Sequence, residues 1–267
     1  MNIWTVACQK GGVGKTTTAV TLGGLLAESG LRTLLIDLDP HGSMTSYFGY
    51  DPDAIEESAY SLFQKEIARS HIPLASILCH TSEVNLDLLP ACTALVSLDR
   101  QVGTQGGRGL VIKNALQDHQ SHYHTVIIDC PPTLGILMVN ALAACQRLLI
   151  PVQTEFLAIK GLDRILNTLK MIILSGKQSI DYTVIPTMFD RRTRASNDSL
   201  YHLQKYYYQH LWQGHIPIDT KFREASSIGK PVSAVFPETH GVMAYRVLLE
   251  YLVSGEQGGS EEIRKAG

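Results

Sequence analysis

Short, almost continuous apolar runs recur along the chain and predict buried strands. Side chains on successive residues of a strand point to opposite faces, so a run that is apolar throughout indicates a strand covered on both faces. This is typical of a parallel sheet. The runs are Ile3–Ala7, Thr33–Leu38, Val84–Leu89, Thr125–Asp129, Leu148–Val152 and Thr183–Pro186.

Longer stretches between these runs have apolar residues at helical spacing. The first predicts a helix over Thr16–Glu28, which Gly30 ends. Further helices are predicted over 107–118, 134–145, 158–175 and 195–211, and short helices and loops over 50–82. Alternating strands and helices favour an α/β fold with a doubly wound, mostly parallel sheet flanked by helices. We expect one domain over residues 1–255 and a flexible, Gly-rich and charged C-terminal tail over 256–267.

Composition narrows the class of protein. The 267 residues are 45% hydrophobic and 18% charged, with a net charge of −2. This excludes a disordered or coiled-coil chain and a uniformly basic nucleic-acid binder, while a local basic patch stays open. No apolar run approaches the roughly 18 residues of a membrane span, and no signal peptide is recognised. The five cysteines are scattered without a CxxC pair, which predicts reduced thiols in a cytoplasmic protein.

The strongest candidate site is the glycine-rich segment QKGGVGKTT between the first strand and the first helix. Backbone N–H groups of such a loop can bind phosphate oxygens, and the following helix N-terminus adds partial positive charge. Lys15 supplies a full charge to the phosphates, and the Thr16 hydroxyl is suited to Mg²⁺. The alternative is a glycine-rich turn that binds nothing. The residues expected to hold the nucleotide are Gly11, Gly12, Val13, Gly14, Lys15, Thr16 and Thr17.

This segment departs from the usual GxxxxGK[ST] pattern, since Gln9 holds the first glycine position and Lys10 follows it. KGGVGKTT resembles the deviant Walker A motif of the ParA/MinD family of dimeric P-loop ATPases, in the short, Soj-like ParA form. Five further segments resemble the family's landmarks in the same order along the chain. These are Leu35–Pro40, Val126–Pro132, Pro151–Glu155, Thr187–Asp190 and Ile216–Pro217.

The resemblance implies ATP and Mg²⁺ as cofactors and an ATP-bound homodimer. In that reading Lys10 reaches the partner's ATP, Asp39 orients the attacking water, and Asp129 holds Mg²⁺ through its water shell. Asp37 either joins the Mg²⁺ shell or is a capping or salt-bridging carboxylate. Two further positions, Met188 and Pro217, match landmarks near the base of the nucleotide. His41 stands where the family usually has glutamine, either as an exposed loop residue or as a residue that tunes hydrolysis.

Two basic clusters predict a DNA-binding surface, because the family binds nucleoid DNA non-specifically through basic residues in matching places. The alternative is a solvated loop with salt bridges to nearby aspartates. Relatives often have arginine directly after the Ile-Pro pair, where this chain has Ile218. The clusters are Arg191, Arg192 and Arg194, and Lys221 and Arg223.

The implied function is a switch with slow, partner-stimulated ATP hydrolysis that partitions or positions cargo. The cargo is chromosome or plasmid DNA, or a polar protein complex such as chemotaxis arrays. The N-terminal sequence most resembles the branch of the family that positions such arrays. A ParB-like or cargo-adaptor protein is the implied partner, on the nucleoid or at a cell pole. The alternative is a MinD-like, membrane-associated positioning ATPase for division or flagella, although the glutamates near the C-terminus disfavour a basic membrane anchor.

Overall fold

A parallel sheet organises the chain, as the apolar runs predict. The computed structural model describes residues 1–70, 72–100, 108–117, 119–176 and 180–265, without the side chains at 99, 100, 108, 172, 174–176 and 255–265. Seven strands lie within these residues in the order β3-β4-β2-β5-β1-β6-β7, and only β3 runs antiparallel to its neighbour. The strands are β1 (Asn2–Val6), β2 (Thr33–Asp37), β3 (Cys79–His80), β4 (Leu86–Leu89), β5 (Thr125–Asp129), β6 (Arg147–Gln153) and β7 (Asp181–Thr187).

Helices cover both faces of the sheet. They are α1 (Lys15–Glu28), α2 (Ser43–Tyr47), α3 (Ala59–Ile67), α4 (Val96–Arg100), α5 (Val111–Gln117), α6 (Ile136–Ala144), α7 (Phe156–Gly176), α8 (Arg194–Tyr206), α9 (Lys221–Ile228), α10 (Val232–Val235) and α11 (His240–Lys265). Helix α1 packs with α10 and α11 on one face, and α5, α6 and α7 form a layer on the other. Within β5, Val126 and Ile128 join one core and Ile127 the other, so the doubly wound α/β prediction is confirmed.

Several predicted bounds shift where the backbone finds another partner. The predicted strand over Val84–Leu89 begins only at Leu86, because Val84 lies in an exposed turn. The helix predicted over 195–211 ends at Tyr206, and a 3₁₀ turn then leads to Trp212, whose N–H donates to the Val184 carbonyl of β7. Pairing with the sheet edge therefore replaces the last helical turn.

Two other predictions meet the described residues only in part. The helix predicted over 107–118 is observed as α5 after a 3₁₀ turn at Arg108–Leu110, and residues 107 and 118 lie outside the described part. Helix α11 runs across the predicted boundary at 255 to Lys265, whereas a flexible tail is predicted over 256–267, of which 266 and 267 are not described. The division into domain and tail stays a prediction. No described helix is both long and apolar enough to cross a bilayer.

The sheet brings the predicted site residues to one edge. Strand β1 lies between β5 and β6, and β5 lies between β2 and β1. Asp37 ends β2 directly opposite Asp129 at the end of β5, and Val6 ends β1 opposite the same Asp129. The carboxyl ends of these three strands, where open α/β sheets bind ligands, therefore carry both carboxylates and the glycine-rich loop.

Candidate nucleotide site

The loop after β1 has the conformation of a phosphate cradle. Gly12 and Gly14 adopt φ angles of +76° and +91°, which side-chain-bearing residues rarely adopt. Gly14 caps α1, and its carbonyl accepts the Thr18 N–H at 2.9 Å. The Thr187 hydroxyl at the end of β7 donates to the Val13 carbonyl at 2.9 Å and ties the loop to the sheet. The N-terminus of α1 thus opens onto a fixed loop suited to phosphate.

Lys15, the first residue of α1, lies within this loop. Lys15 is buried, and its ammonium donates to the Lys10 carbonyl at 3.4 Å. A buried ammonium with one long hydrogen bond retains the capacity to bind an anion strongly. The predicted role of Lys15 at the phosphates fits this placement.

Thr16 and Asp129 form the part of the site suited to Mg²⁺. The Thr16 hydroxyl donates to Asp129 Oδ2 at 2.5 Å, while Asp129 Oδ1 is buried and has no hydrogen-bond partner among the residues that the structure describes. A buried carboxylate oxygen left without a partner is costly, and a cation would satisfy it. Mg²⁺ is held by one or two carboxylates together with nucleotide phosphates, so the residues present fit this ion.

Both oxygens of Asp37 accept hydrogen bonds from the segment that follows β2. Its Oδ2 accepts the Thr45 N–H and hydroxyl at 2.9 and 2.8 Å, and its Oδ1 accepts the Asp39 N–H at 3.1 Å. These contacts are those of a capping carboxylate, which is one of the two roles considered for Asp37 from the sequence. The other role, in the Mg²⁺ shell, stays a prediction.

The two buried carboxyls disfavour each other's charge. Burial, with the negative charge of Asp37 as the next cause, raises the pKa of the Asp129 carboxyl to about 8. Burial also raises the pKa of the Asp37 carboxyl to about 6, against the lowering effect of its hydrogen bonds to Thr45 and Asp39. Two ionised carboxylates in this buried site therefore repel each other. A divalent cation would relieve that repulsion.

Lys10, the other lysine of the loop, points away from the phosphate cradle and towards the start of α7. The Lys10 ammonium pairs with the Glu155 carboxylate at the start of α7 and lies 3.5 Å from Gln153 Oε1. A Cβ added to Gly161 of α7 would lie 3.4 Å from Lys10 Cβ, so the lysine stem packs along that helix. Lys10 is about a quarter exposed and remains at the rim of the site.

A pocket of about 400 Å³ continues from the loop, past Gly14 and Thr17. Met188, directly after β7, adopts a φ of +52°, and the Phe189 N–H donates to the Ile216 carbonyl at 3.0 Å. This pairing places both predicted base-site residues in the pocket wall. The remaining lining residues are Gln153, Thr187, Ile216, Ile218, Asp219, Phe222, Arg223 and Tyr245.

Comparisons with known proteins agree with this geometry. A family model described as an AAA domain matches residues 1–182. The sporulation initiation inhibitor protein Soj of Bacillus subtilis is 36% identical over 239 residues, which are 89% of this chain and 92% of Soj. The chromosome partitioning protein ParA of Caulobacter vibrioides is 32% identical over 96% of each chain.

The chain belongs to the ParA/Soj family of deviant Walker A ATPases. Among solved structures, a Mycobacterium smegmatis protein described as cobyrinic acid a,c-diamide synthase, with bound ADP and magnesium, is 31% identical with a TM-score of 0.83. The superposition covers 97% of this chain and 96% of that one. A second structure of the same protein holds an ATP analogue and magnesium. The P-loop fold and the ATPase family are thereby confirmed, and related structures hold ADP or an ATP analogue together with magnesium, in line with the ATP and Mg²⁺ that the resemblance implies.

The basic clusters that ParA resemblance points to lie close to the pocket. The Ile218 N–H donates to the Phe189 carbonyl at 3.3 Å, so the two segments leave the sheet edge side by side. Many of the charges are paired. Arg192 pairs with Asp190 at 2.8 Å and lowers the pKa of that carboxyl to about 2. Further pairs join Arg194 to Asp198 at 3.4 Å and Lys221 to Glu224 at 2.5 Å, while Arg191 is exposed and Arg223 lines the nucleotide pocket.

Three of the five basic residues form ion pairs, as the alternative of a solvated loop with salt bridges predicts. The basic side chain of each pair is 39–93% exposed, however. Ion pairs open to solvent contribute little free energy, so these side chains can exchange their partners for phosphate contacts. The predicted DNA surface is thus neither excluded by the pairing nor required by it.

Some site residues were not marked by any sequence motif. Tyr245 of α11 lines the pocket, and its hydroxyl lies 2.8 Å from that of Thr18. Thr45 anchors Asp37 from the following helix. Both depend on tertiary packing across more than a local segment, although the apolar face of α11 could have indicated that this helix packs against α1.

Proposed function

We propose that the chain is an ATP-dependent dimerising switch that partitions or positions cargo and binds DNA without sequence preference in its ATP state. The observation that carries the proposal is the placement of the two loop lysines. Lys15 lies inside its own phosphate cradle, whereas the Lys10 ammonium lies at the rim against Glu155. A lysine at the rim supports a role at a nucleotide bound by a second subunit, once it is released from Glu155.

The remaining residues would take roles in phosphoryl transfer that the family resemblance implies and that their positions support. Thr16 and Asp129 would hold Mg²⁺, which neutralises charge on the phosphates. Lys15 binds the phosphate oxygens, and Asp39 at the adjacent loop orients the attacking water. Lys10 of the partner would add positive charge where the transferred phosphoryl develops negative charge. Hydrolysis would then be slow in a single subunit and would depend on dimerisation and on a partner protein.

DNA binding follows from pairing two basic surfaces. In this proposal each subunit would present Arg191, Arg192, Arg194 and Lys221 to the DNA, with Arg223 nearby in the pocket wall. A single subunit offers few phosphate contacts, and a dimer doubles them. Affinity depends steeply on the number of contacts because each neutralised phosphate releases counterions. Support for a partitioning role comes from the name of the Caulobacter vibrioides relative, the chromosome partitioning protein ParA.

The cargo is chromosome or plasmid DNA, or a polar protein complex such as chemotaxis arrays. A ParB-like or adaptor protein would stimulate hydrolysis at the cargo. The chain would then act in the cytoplasm, on the nucleoid or at a pole.

The test is binding of the Asp39→Ala variant to random duplex DNA, with ATP or ADP and Mg²⁺, at two salt concentrations. We expect binding with ATP that weakens strongly as salt rises, and little binding with ADP. A parallel arm uses vesicles of anionic lipid. Binding to vesicles but not to DNA would contradict the proposal and favour the MinD-like alternative.

A further inference from the structure

The loop that carries Asp39 is held rigidly at both ends. The Asp37 carboxylate accepts the N–H groups of Asp39 and Thr45, so one side chain ties the start of the loop to its end. Gly42 closes the turn with its N–H donated to the Asp39 carbonyl at 2.8 Å. Its φ is +60°, and an added Cβ would lie 2.3 Å from Pro52 Cγ, so only glycine fits. The backbone between Asp39 and Gly42 has therefore one defined path.

His41 lies on this path and makes two hydrogen bonds to the same oxygen of Asp39. Its N–H donates to Asp39 Oδ1 at 3.1 Å, and its ring Nδ1 lies 2.9 Å from that oxygen. A carboxylate only accepts hydrogen bonds, so Nδ1 carries the proton in this contact. The hydrogen bonds that the described residues make to this carboxylate end on Oδ1, which leaves Oδ2 as the oxygen that can accept from a water.

The two side chains differ sharply in exposure. The Asp39 side chain is 14% exposed and the His41 side chain is 81% exposed. The imidazole thus covers a largely buried carboxylate from the solvent side without taking part in the core. An exposed ring is not needed for folding, which separates its effect on Asp39 from any effect on stability.

We propose that His41 is a positioning residue for hydrolysis, in which the Nδ1–H group fixes the rotamer of the Asp39 carboxylate so that Oδ2 is presented to the attacking water. This rests on the proposed role of Asp39 and adds a residue to it. A carboxylate that is already oriented loses less entropy on reaching the reactive geometry. The contribution falls on the chemical step, because the hydrogen bonds given for His41 go to Asp39, and His41 is not among the described residues that line the pocket beyond the loop.

The side chains of two variants separate the donor from the ring. In asparagine, Nδ2 is attached to Cγ as Nδ1 is in histidine, so His41→Asn retains an N–H donor at the same distance from the backbone. His41→Ala removes the donor and retains the backbone N–H contact. A structural role of the ring would affect both variants alike.

The experiment is single-turnover hydrolysis of MgATP by the full chain, with ATP affinity measured separately. We expect His41→Ala to hydrolyse about three- to tenfold more slowly than wild type, the effect of one lost hydrogen bond, with unchanged ATP affinity. His41→Asn should recover most of the rate. Equal rates for His41→Ala and wild type, or equally slow His41→Ala and His41→Asn, would overturn the inference.

Asp39→Ala is measured beside them to separate the two levels of the account. Loss of hydrolysis in Asp39→Ala with a normal rate in His41→Ala would overturn the role of His41 alone. Normal hydrolysis in Asp39→Ala would overturn the proposed role of Asp39, and the inference with it.

Discussion

Asp37 and Asp129 lie directly opposite each other at the ends of the neighbouring parallel strands β2 and β5. Both are buried, but within the described residues Asp37 has hydrogen bonds to both of its oxygens, whereas Asp129 Oδ1 has none. Asp37 therefore organises the loop that carries Asp39. The unsatisfied oxygen of Asp129 is costly for the fold, and the Mg²⁺ proposed to bind there would relieve that cost.

The first prediction concerns the pH dependence of stability without nucleotide or Mg²⁺. The pKa of Asp129 is raised in the folded chain to about 8, from an ordinary value near 4. The folded state thus holds this proton more tightly than the unfolded state. The stability that the protonated group contributes is complete below about pH 4 and is lost as pH rises through the folded pKa. Melting temperature in EDTA should therefore fall between roughly pH 5.5 and 8.5, and Asp129→Asn should reduce the fall.

Asp190→Asn is the matched control for this measurement. The pKa of Asp190 is lowered to about 2, so its contribution to stability changes only below about pH 4 and not in the measured range. The variant should therefore keep the wild-type slope. An Asp129→Asn slope equal to that of wild type would contradict the assignment.

A second prediction tests the Mg²⁺ site through Thr16. Thr16→Ala removes the hydroxyl next to Asp129 and should weaken ATP binding in Mg²⁺ by about tenfold or more, with a smaller effect in EDTA. Thr17→Ala changes the next residue, which lines the adjacent pocket, and should preserve the Mg²⁺ dependence. Titration of a fluorescent ATP analogue with and without Mg²⁺ measures both. Equal loss in Mg²⁺ and in EDTA for Thr16→Ala would argue against a ligand role.

A third prediction concerns the contact between Lys10 and Glu155. This pair keeps the lysine on its own subunit, so Glu155→Gln should release it and strengthen ATP-dependent dimerisation by roughly two- to fivefold, the range for an exposed ion pair. Sedimentation at several protein concentrations measures the change. The double variant Lys10→Ala/Glu155→Gln should behave like Lys10→Ala, since no charge remains to be released. Weaker dimerisation of Glu155→Gln than of wild type would show that the contact supports the dimer instead.

A fourth prediction compares two pairs of charge removals on the ATP-bound dimer. Arg192→Gln/Lys221→Gln should weaken DNA binding and reduce the slope of log affinity against log salt by about one for each lost phosphate contact. Lys230→Gln/Arg246→Gln removes the same charge elsewhere, from residues paired with Glu83 and Glu28. It should leave the slope unchanged. Equal effects of the two double variants would show that DNA binding depends on net charge and not on the predicted surface.

The sequence predicted those parts of the site that depend on local chemistry. The apolar runs identified the strands, and the glycine-rich loop identified Lys15 and Thr16 because a phosphate cradle needs these residue types at this spacing. Asp129 was singled out by the family resemblance and by its place at the end of a predicted strand. Strand order was not predictable in the same way, and so neither was the register that sets Asp37 against Asp129.

Contacts between distant segments also escaped the sequence. Tyr245 reaches the pocket from the last helix, more than 200 residues after the loop. Glu155 belongs to a segment that the resemblance singled out, but its contact with Lys10 depends on how α7 packs beside the loop. Helix α8 likewise ends before the residue predicted from its periodicity, because the chain beyond it pairs with β7.

The most direct test of the account is the solution mass of Asp39→Ala by light scattering, in excess ATP and Mg²⁺ and again in ADP and Mg²⁺. Slow hydrolysis should retain the ATP state, so we expect twice the mass of one chain with ATP and the mass of one chain with ADP. Lys10→Ala in the same background should bind ATP and remain a single chain, because its charge is needed on the partner's nucleotide. An Asp39→Ala protein that binds ATP and stays monomeric, or a Lys10→Ala/Asp39→Ala protein that dimerises as well as Asp39→Ala, would contradict the central claim.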